Sequence, residues 1–503
     1  NNSELNPFLK DRFAYTVLSH TDLSRDSGRV DGIDLATLNW GNFDLIVIDE
    51  SHNFRNNTKG KRDEDGNLIR KSRYERLMDD IIKSGVKTKV LLLSATPVNN
   101  DLKDLRNQIY FVTEGRDTAF SQSFSINSIK DTLTVAQKTF MEWARRSGER
   151  DARDLMERLS AGFFTLLDEL TIARSRKHIQ KYYKASMAQI GQFPKRRKPE
   201  SVFSEIDLKG RFLSYDKLND EIDNYQLSIF KPSKYVLDEF KAQYEDQRVK
   251  NFSQENREQF LIGMMKVNFL KRLESSVRAF AITMERTVSK IENLEERLKQ
   301  FQQHQANTEE DIQPDLFAEP AEEDEELAQA FQAGTKLKYR MEHMDVAAWL
   351  ADLATDKQQL SLLADAAQAV DAARDAKLAE LKRLIEHKVR HPSTNALGEE
   401  NRKVIVFCAF ADTAAYLYEE LEDWSRNTLG IHIALVSGGA RPNRSTFGQA
   451  EFTRILTNFA PRAKQRAKMK SMPQEGEIDL LIATDCISEG QNLQDCDYLI
   501  NYD

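Results

Sequence analysis

Cysteine is scarce in this sequence: Cys408, Cys486 and Cys496 are the only three in 503 residues. They are too few and too scattered for a disulfide framework, and without a C-x-x-C pair they suggest no zinc site. Long apolar runs are missing as well. No stretch approaches the roughly 20 residues that cross a bilayer, and no basic-then-apolar leader opens the chain. A reducing, cytoplasmic setting without membrane contact is therefore expected. Positive charge is not in excess, since 72 basic against 80 acidic residues leave a formal net charge of −8. That total does not announce a nucleic-acid binder, although a basic groove can coexist with an acidic exterior. Finally, no G-x-x-x-x-G-K-[ST] loop occurs, because Gly60-Lys61 is followed by Arg62. Such a loop supplies the amides and the lysine that grip nucleotide phosphates.

What is present begins with Phe43 to His52, FDLIVIDESH. Leu45, Ile46, Val47 and Ile48 form a short unbroken apolar run, as in a strand buried on both faces of a parallel sheet. In open α/β sheets ligands sit beyond the carboxyl ends of the strands, which places Asp49 and Glu50 at the lip of such a site. Two adjacent acids there suit metal-nucleotide chemistry, one holding Mg²⁺ and the other polarising a water; solvated acids at a strand end are the alternative. KVLLLSATPVNN (89–100) repeats the design, as do VIVFCA (404–409), IHIALVSG (431–438), DLLIATD (479–485) and YLINY (498–502).

Together these motifs resemble superfamily 2 helicases. IDESH is similar to their Walker B/DEAH-type motif, LSAT to motif III, VIVFCAF to motif IV and ATDCISEGQNL to motif V, in the right order and each at a strand-to-loop junction. VLSHTDLSR (17–25) and KRLESSVRAF (271–280) further resemble segments of bacterial Swi/Snf-like ATPases. The resemblance implies two RecA-like parallel-sheet lobes, the first incomplete, with a large α-helical insertion between them. It implies ATP and Mg²⁺ as cofactors, with Asp49, Glu50 and His52 in the catalytic set; Asp49 would hold the metal and Glu50 would position the attacking water. Ser94, Ala95 and Thr96 would couple nucleotide to nucleic acid. Ser488, Glu489, Gly490 and Asn492 would meet nucleotide and nucleic acid from the second lobe, and Thr21 and Arg25 would contact phosphates. In this family the phosphate loop precedes Walker B by several strands, and arginine fingers follow motif V. The sequence is therefore expected to be truncated at both ends and to hydrolyse ATP poorly by itself, since such fingers alone contribute about 10³–10⁵ in rate.

The expected organisation is the end of a first lobe at 1–115, a helical region at 116–302, an acidic linker at 303–334, helices at 335–390 and a second lobe at 391–503. Residues 141–170 read as helical. From Thr171 to Glu200 nine basic residues face one acid, interleaved with Tyr182, Tyr183 and Phe193. This is the best nucleic-acid patch in the chain, with Arg174, Arg176, Lys177, Lys195, Arg196 and Arg197 as contacts; a solvated basic helix is the alternative. Apolar residues at 270, 273, 277, 280, 284, 291, 294 and 298 predict a long helix packed on a partner helix, of the same chain or, as the alternative, in a dimer zipper. The basic run 461–470 reads either as a phosphate contact or as a solvated face. The expected activity is ATP-driven translocation by a monomeric motor on duplex DNA. A catalytically inactive nucleic-acid scaffold and a strand-separating helicase are the other readings.

Overall fold

The computed structural model describes residues 15–30, 32–57, 59–62, 68–99, 101–146, 151–185, 187, 193, 195–245, 254–303, 311–312, 339–394, 398–438, 442–487 and 491–503. The chain divides into two compact units, one within residues 7–199 and the other covering 200–503. The division falls inside the segment read from sequence as one helical region. The acidic stretch 303–334 lies outside the described residues apart from Gln303, Asp311 and Ile312. No described helix is long and apolar enough to cross a membrane.

In the first unit β1 (Leu45–Ile48) and β2 (Lys89–Leu92) pair in parallel, Leu45 opposite Lys89 and Ile48 opposite Leu92. A parallel pair needs a crossover, and helical turns from Arg73 to Ile82 lie between the two strands. Ser72 starts those turns: its hydroxyl accepts from the Glu75 amide at 3.0 Å, and Glu75 Oε2 accepts from the Ser72 amide at 3.2 Å. This reciprocal cap satisfies two amides that a helix start leaves orphaned. Tyr74, Leu77, Met78, Ile81 and Ile82 then pack on Ile48, Phe54 and Phe111.

The apolar run at 45–48 predicted burial on both faces, and here the structure differs. Ile48 is buried and Ile46 packs on the same cluster, whereas Leu45 and Val47 are 55% and 53% exposed. Leu91 and Leu93 are open in the same way. Side chains alternate across a strand, and helical packing covers only one face of this pair among the described residues. Beyond β2, α1 (Lys103–Thr113), α2 (Ile129–Ala144) and α3 (Ala161–Leu170) enclose Leu105, Ile109, Ile129, Leu133, Phe163 and Leu166. The stretch 141–170, read as helical, is divided among separate helices. Asp151 and Ser160 each cap a fresh start, accepting from the amides of Arg153 at 2.9 Å and Phe163 at 3.2 Å. The short α4 (Arg176–Tyr182) follows, with none of its residues buried.

In the second unit the apolar stripe from 270 to 298 crosses two helices, α5 (Gln254–Ser275) and α6 (Val277–Gln303), instead of one. Ser276 causes the break, because its hydroxyl accepts from the Ala279 amide at 3.0 Å and caps α6. The stripe is nonetheless a core: Leu273, Val277, Phe280, Met284, Ile291, Leu294 and Leu298 are buried with Trp349, Leu353, Leu360 and Leu363 of α7 (Val346–Gln368). Thr287, the polar member of the series, donates its hydroxyl to the Thr283 carbonyl at 2.8 Å.

After α8 (Ala376–Arg390) comes a five-stranded sheet of β3 (Val404–Phe407), β4 (Ile433–Val436), β5 (Arg444–Ser445), β6 (Leu480–Ala483) and β7 (Tyr498–Asn501). The order is β5-β4-β6-β3-β7, with only β5 antiparallel to its neighbour. Val404, Val406, Ile433, Leu435, Leu480 and Ile482 pack with residues of α8 and α9 (Ala411–Trp424). The alternate residues Ile405, Ala434, Val436, Leu481 and Ala483 pack with α10 (Phe452–Phe459). Helices on both faces explain why these strands are continuously apolar.

One polar junction ties α9 to α5 and α6. Asp412 accepts from Arg272 Nη1 at 3.3 Å and Arg286 Nη1 at 3.0 Å. The Thr413 hydroxyl lies 2.6 Å from that of Ser275 and 3.0 Å from that of Ser276, and the Arg272 guanidinium stacks 3.9 Å over the Phe410 ring.

Candidate functional site

The acid pair stands where β1 ends. The chain turns sharply there, with Glu50 at φ 47° and ψ 49°, and enters a single helical turn from Ser51 to Phe54. A non-glycine residue in the left-handed region carries about 1–3 kcal/mol of strain and persists only where its surroundings over-determine it. Here three hydrogen bonds do so. The Ser51 amide donates to the Leu93 carbonyl at 2.9 Å, the Leu93 amide donates to Ile48 at 2.9 Å, and the Ser51 hydroxyl donates to Gln108 Oε1 at 2.9 Å. Phe54 is buried against Phe111. Strand end and helical turn are thus both fixed, and Glu50 takes up the bend.

This bend presents Asp49 to solvent, its Oδ1 accepting from the Glu50 amide at 3.0 Å, and leaves Glu50 half-buried. Glu50 Oε2 lies 3.4 Å from His52 Nδ1, which in turn lies 3.3 Å from the Ser94 hydroxyl. The Ser94 oxygen accepts from the Thr96 amide at 3.1 Å. A continuous polar path therefore runs from the acid loop into the Ser-Ala-Thr loop after β2, with Ala95 exposed on it. Residues 44 positions apart, Glu50 and Ser94, meet because their strands are parallel neighbours in register.

His20 also belongs here, and nothing in its sequence spacing signals this beyond its lying in the VLSHTDLSR segment. Its ring meets Phe54 edge-on at 5.0 Å. Burial lowers its pKa from the usual histidine value, opposed by a hydrogen bond with the Asp49 backbone. His20 opens the turn His20–Ser24, so Thr21, which is exposed, lies beside the acid loop. Arg25 is anchored: its Nη1 donates to Asp22 Oδ1 at 3.0 Å. Burial works to raise the Asp22 carboxyl, but the Ser19 hydroxyl and amide and the Arg25 guanidinium carry it below the ordinary aspartate value.

Among the described residues no group of three or more His, Cys, Asp or Glu could hold a metal ion. The donor set at β1 still fits Mg²⁺. That ion keeps several waters and binds through one or two carboxylates plus substrate phosphates, not through a protein cage, and Asp49 is one exposed carboxylate at a strand end.

In the second unit, Ser488, Glu489 and Gly490 lie outside the described residues. Asn492 is exposed, and its Nδ2 donates to the Ala463 carbonyl at 3.3 Å. Lys464 Nζ donates to Gln491 at 2.8 Å, the Arg466 guanidinium donates to Asn458 Oδ1 at 3.2 Å, and Arg462 pairs with Glu399. Arg462, Lys464 and Arg466 are therefore engaged within their own unit, and Lys464 reaches the segment that follows β6. The stretch 174–197 is different. Arg174, Arg176, Lys177, Lys195, Arg196 and Arg197 are exposed, and among the described residues no hydrogen bond or ion pair joins them to the Asp49 loop.

Comparison with known proteins gives two findings. Residues 376–503 match the family model of the helicase conserved C-terminal domain. The crystal structure of the Pyrococcus furiosus Hef helicase domain is similar over 93% of this chain and 66% of that one, at 13% identity and a TM-score of 0.30, too loose a superposition to argue from. No curated protein matches the chain.

Proposed function

We propose that the chain is part of a nucleic-acid-dependent ATPase of the superfamily 2 helicase class, of the Swi/Snf-like bacterial kind, moving along duplex DNA. The observation that carries the reading is the path Glu50–His52–Ser94, which connects a strained acid loop to the loop of the adjacent parallel strand. The helicase C-terminal match over 376–503 supports it from the other end of the chain.

In this reading Asp49 holds Mg²⁺ with bound ATP, and the ion supplies charge neutralisation on the phosphates. Glu50 orients the attacking water and accepts its proton. His52 fixes the Glu50 carboxylate on one side and senses Ser94 on the other. A shift of the Ser94–Thr96 loop when nucleic acid binds would therefore reach the general base through a single imidazole. His20, whose pKa burial lowers, packs behind the acid loop against Phe54.

The test is ATP hydrolysis, with and without duplex DNA, by the protein in its natural full-length form, because residues 1–503 contain no G-x-x-x-x-G-K-[ST] loop. Turnover should rise with the duplex. Changing Ser94→Ala, which removes both the His52 contact and the Thr96 amide bond, should lower stimulated turnover roughly two- to tenfold for each hydrogen bond lost. Absence of hydrolysis by that full-length form with any nucleic acid would sink the reading.

A further inference from the structure

Helix α4 and its flanks differ from the later basic run at 461–470. Nine lysines and arginines lie between residues 171 and 200, and among the described residues none of them is in an ion pair. By contrast, Arg462 in the later run is paired with an acid of its own unit. None of the seven residues of α4 is buried, so its aromatic side chains are not there to fill a core. Tyr182 is 62% and Tyr183 41% exposed. The His178 ring lies 4.7 Å from that of Tyr182 and 6.1 Å from that of Tyr183, both tilted by 44°. Lys181 Nζ sits 4.9 Å over the Tyr182 ring, and Arg174 Nε donates to the Tyr183 hydroxyl at 3.2 Å.

We propose that this face, with His178, Tyr182 and Tyr183 clustered among cations that have no acidic partner among the described residues, is a stacking platform for unpaired nucleotides of a single nucleic-acid strand. Cations alone would suit any polyanion, duplex included, because phosphates are common to both. Aromatic faces add something a duplex cannot use: the flat faces of its bases are already stacked on one another, whereas an unpaired base offers a free face to an exposed ring. His178 and Tyr182, four residues apart on α4, share one side of the helix, and Arg174 steadies Tyr183 from outside it. The inference rests on the nucleic-acid reading above and adds a second strand state to it. The motor tracks the duplex, while this platform takes a strand frayed or displaced from it.

The test is fluorescence anisotropy of the protein with labelled oligothymidylate and with a blunt duplex of equal length, across a salt series. The double change Tyr182→Ala/Tyr183→Ala should weaken single-strand binding about 5- to 150-fold per base stacked. It should leave duplex binding within about twofold and the salt slope unchanged. Tyr182→Phe/Tyr183→Phe, which keeps the rings, should restore the single-strand affinity. Lys177→Ala/Lys181→Ala should weaken both ligands and reduce the salt slope by about one for each phosphate no longer neutralised. Because no residue of α4 is buried, unaltered melting of these variants is expected and can be checked alongside. Equal weakening on both ligands, or none on either, overturns the platform. Duplex binding without any single-strand binding overturns it too and leaves the function reading standing. Binding of neither removes both.

Discussion

The buried charge between the helical region and the C-terminal sheet offers the sharpest energetic prediction. The side chains of Arg272 and Asp412 are each 2% exposed, whereas Arg286, the second cation on Asp412, is 50% exposed. The two arginines should therefore respond very differently to loss of their shared acid. Asp412→Ala leaves the Arg272 guanidinium inside without its carboxylate, and removing one partner of a buried pair costs about 3–5 kcal/mol. Arg286→Ala removes a half-solvated partner and should cost about 1 kcal/mol or less. Replacing both buried members with apolar side chains, Arg272→Met with Asp412→Leu, should recover most of the loss, because desolvation of the pair offsets much of its attraction. Urea unfolding of the unaltered protein and these three variants, with stability taken from midpoint and slope, measures all three differences. If Asp412→Ala costs no more than Arg286→Ala, or the double replacement is worse than Asp412→Ala alone, the junction is not the desolvated pair described.

Two further outcomes follow from the site and the fold. Glu50 sits at φ 47°, a conformation glycine adopts freely, so Glu50→Gly should be more stable than Glu50→Gln by about 1 kcal/mol; thermal melting of the two variants decides it, and equal melting would remove the claim of strain. Asp207 is held well below the ordinary aspartate range, chiefly by hydrogen bonds from Arg374 and then by the amides of Lys209, Arg211 and Phe212, against burial that raises it. A depressed folded value means its stabilisation is complete above the unfolded carboxyl value and fades as pH falls below it. Stability of the unaltered protein should therefore drop more steeply below about pH 4 than that of Asp207→Asn; parallel acid limbs would contradict this.

The legible parts of this molecule were those fixed by local pattern. Four-residue apolar runs announced β3, β4 and β6 because helices cover both faces there. The same kind of run at 45–48 misled, since exposure of Leu45 and Val47 depends on what lies opposite, which a run of residues does not encode. Ser276 lies inside an apolar stripe that reads as one helix, yet its hydroxyl marks where a second one begins. The acid pair and the Ser-Ala-Thr loop were visible as short motifs. The left-handed turn at Glu50, the bridge through His52 and the placement of His20 arise only when distant segments meet. The Arg272–Asp412 junction spans 140 positions, and no spacing rule reaches that far.

If Glu50 is the general base of an ATP-hydrolysing site, one substitution exposes it directly. Steady-state ATP turnover of the Glu50→Gln variant of the natural full-length form, measured at saturating duplex DNA beside equilibrium ATP binding, should fall by about 10²–10⁴-fold while binding is retained. Turnover equal to that of an unaltered, active full-length form would mean that the acid loop is scaffold and the motor reading is wrong.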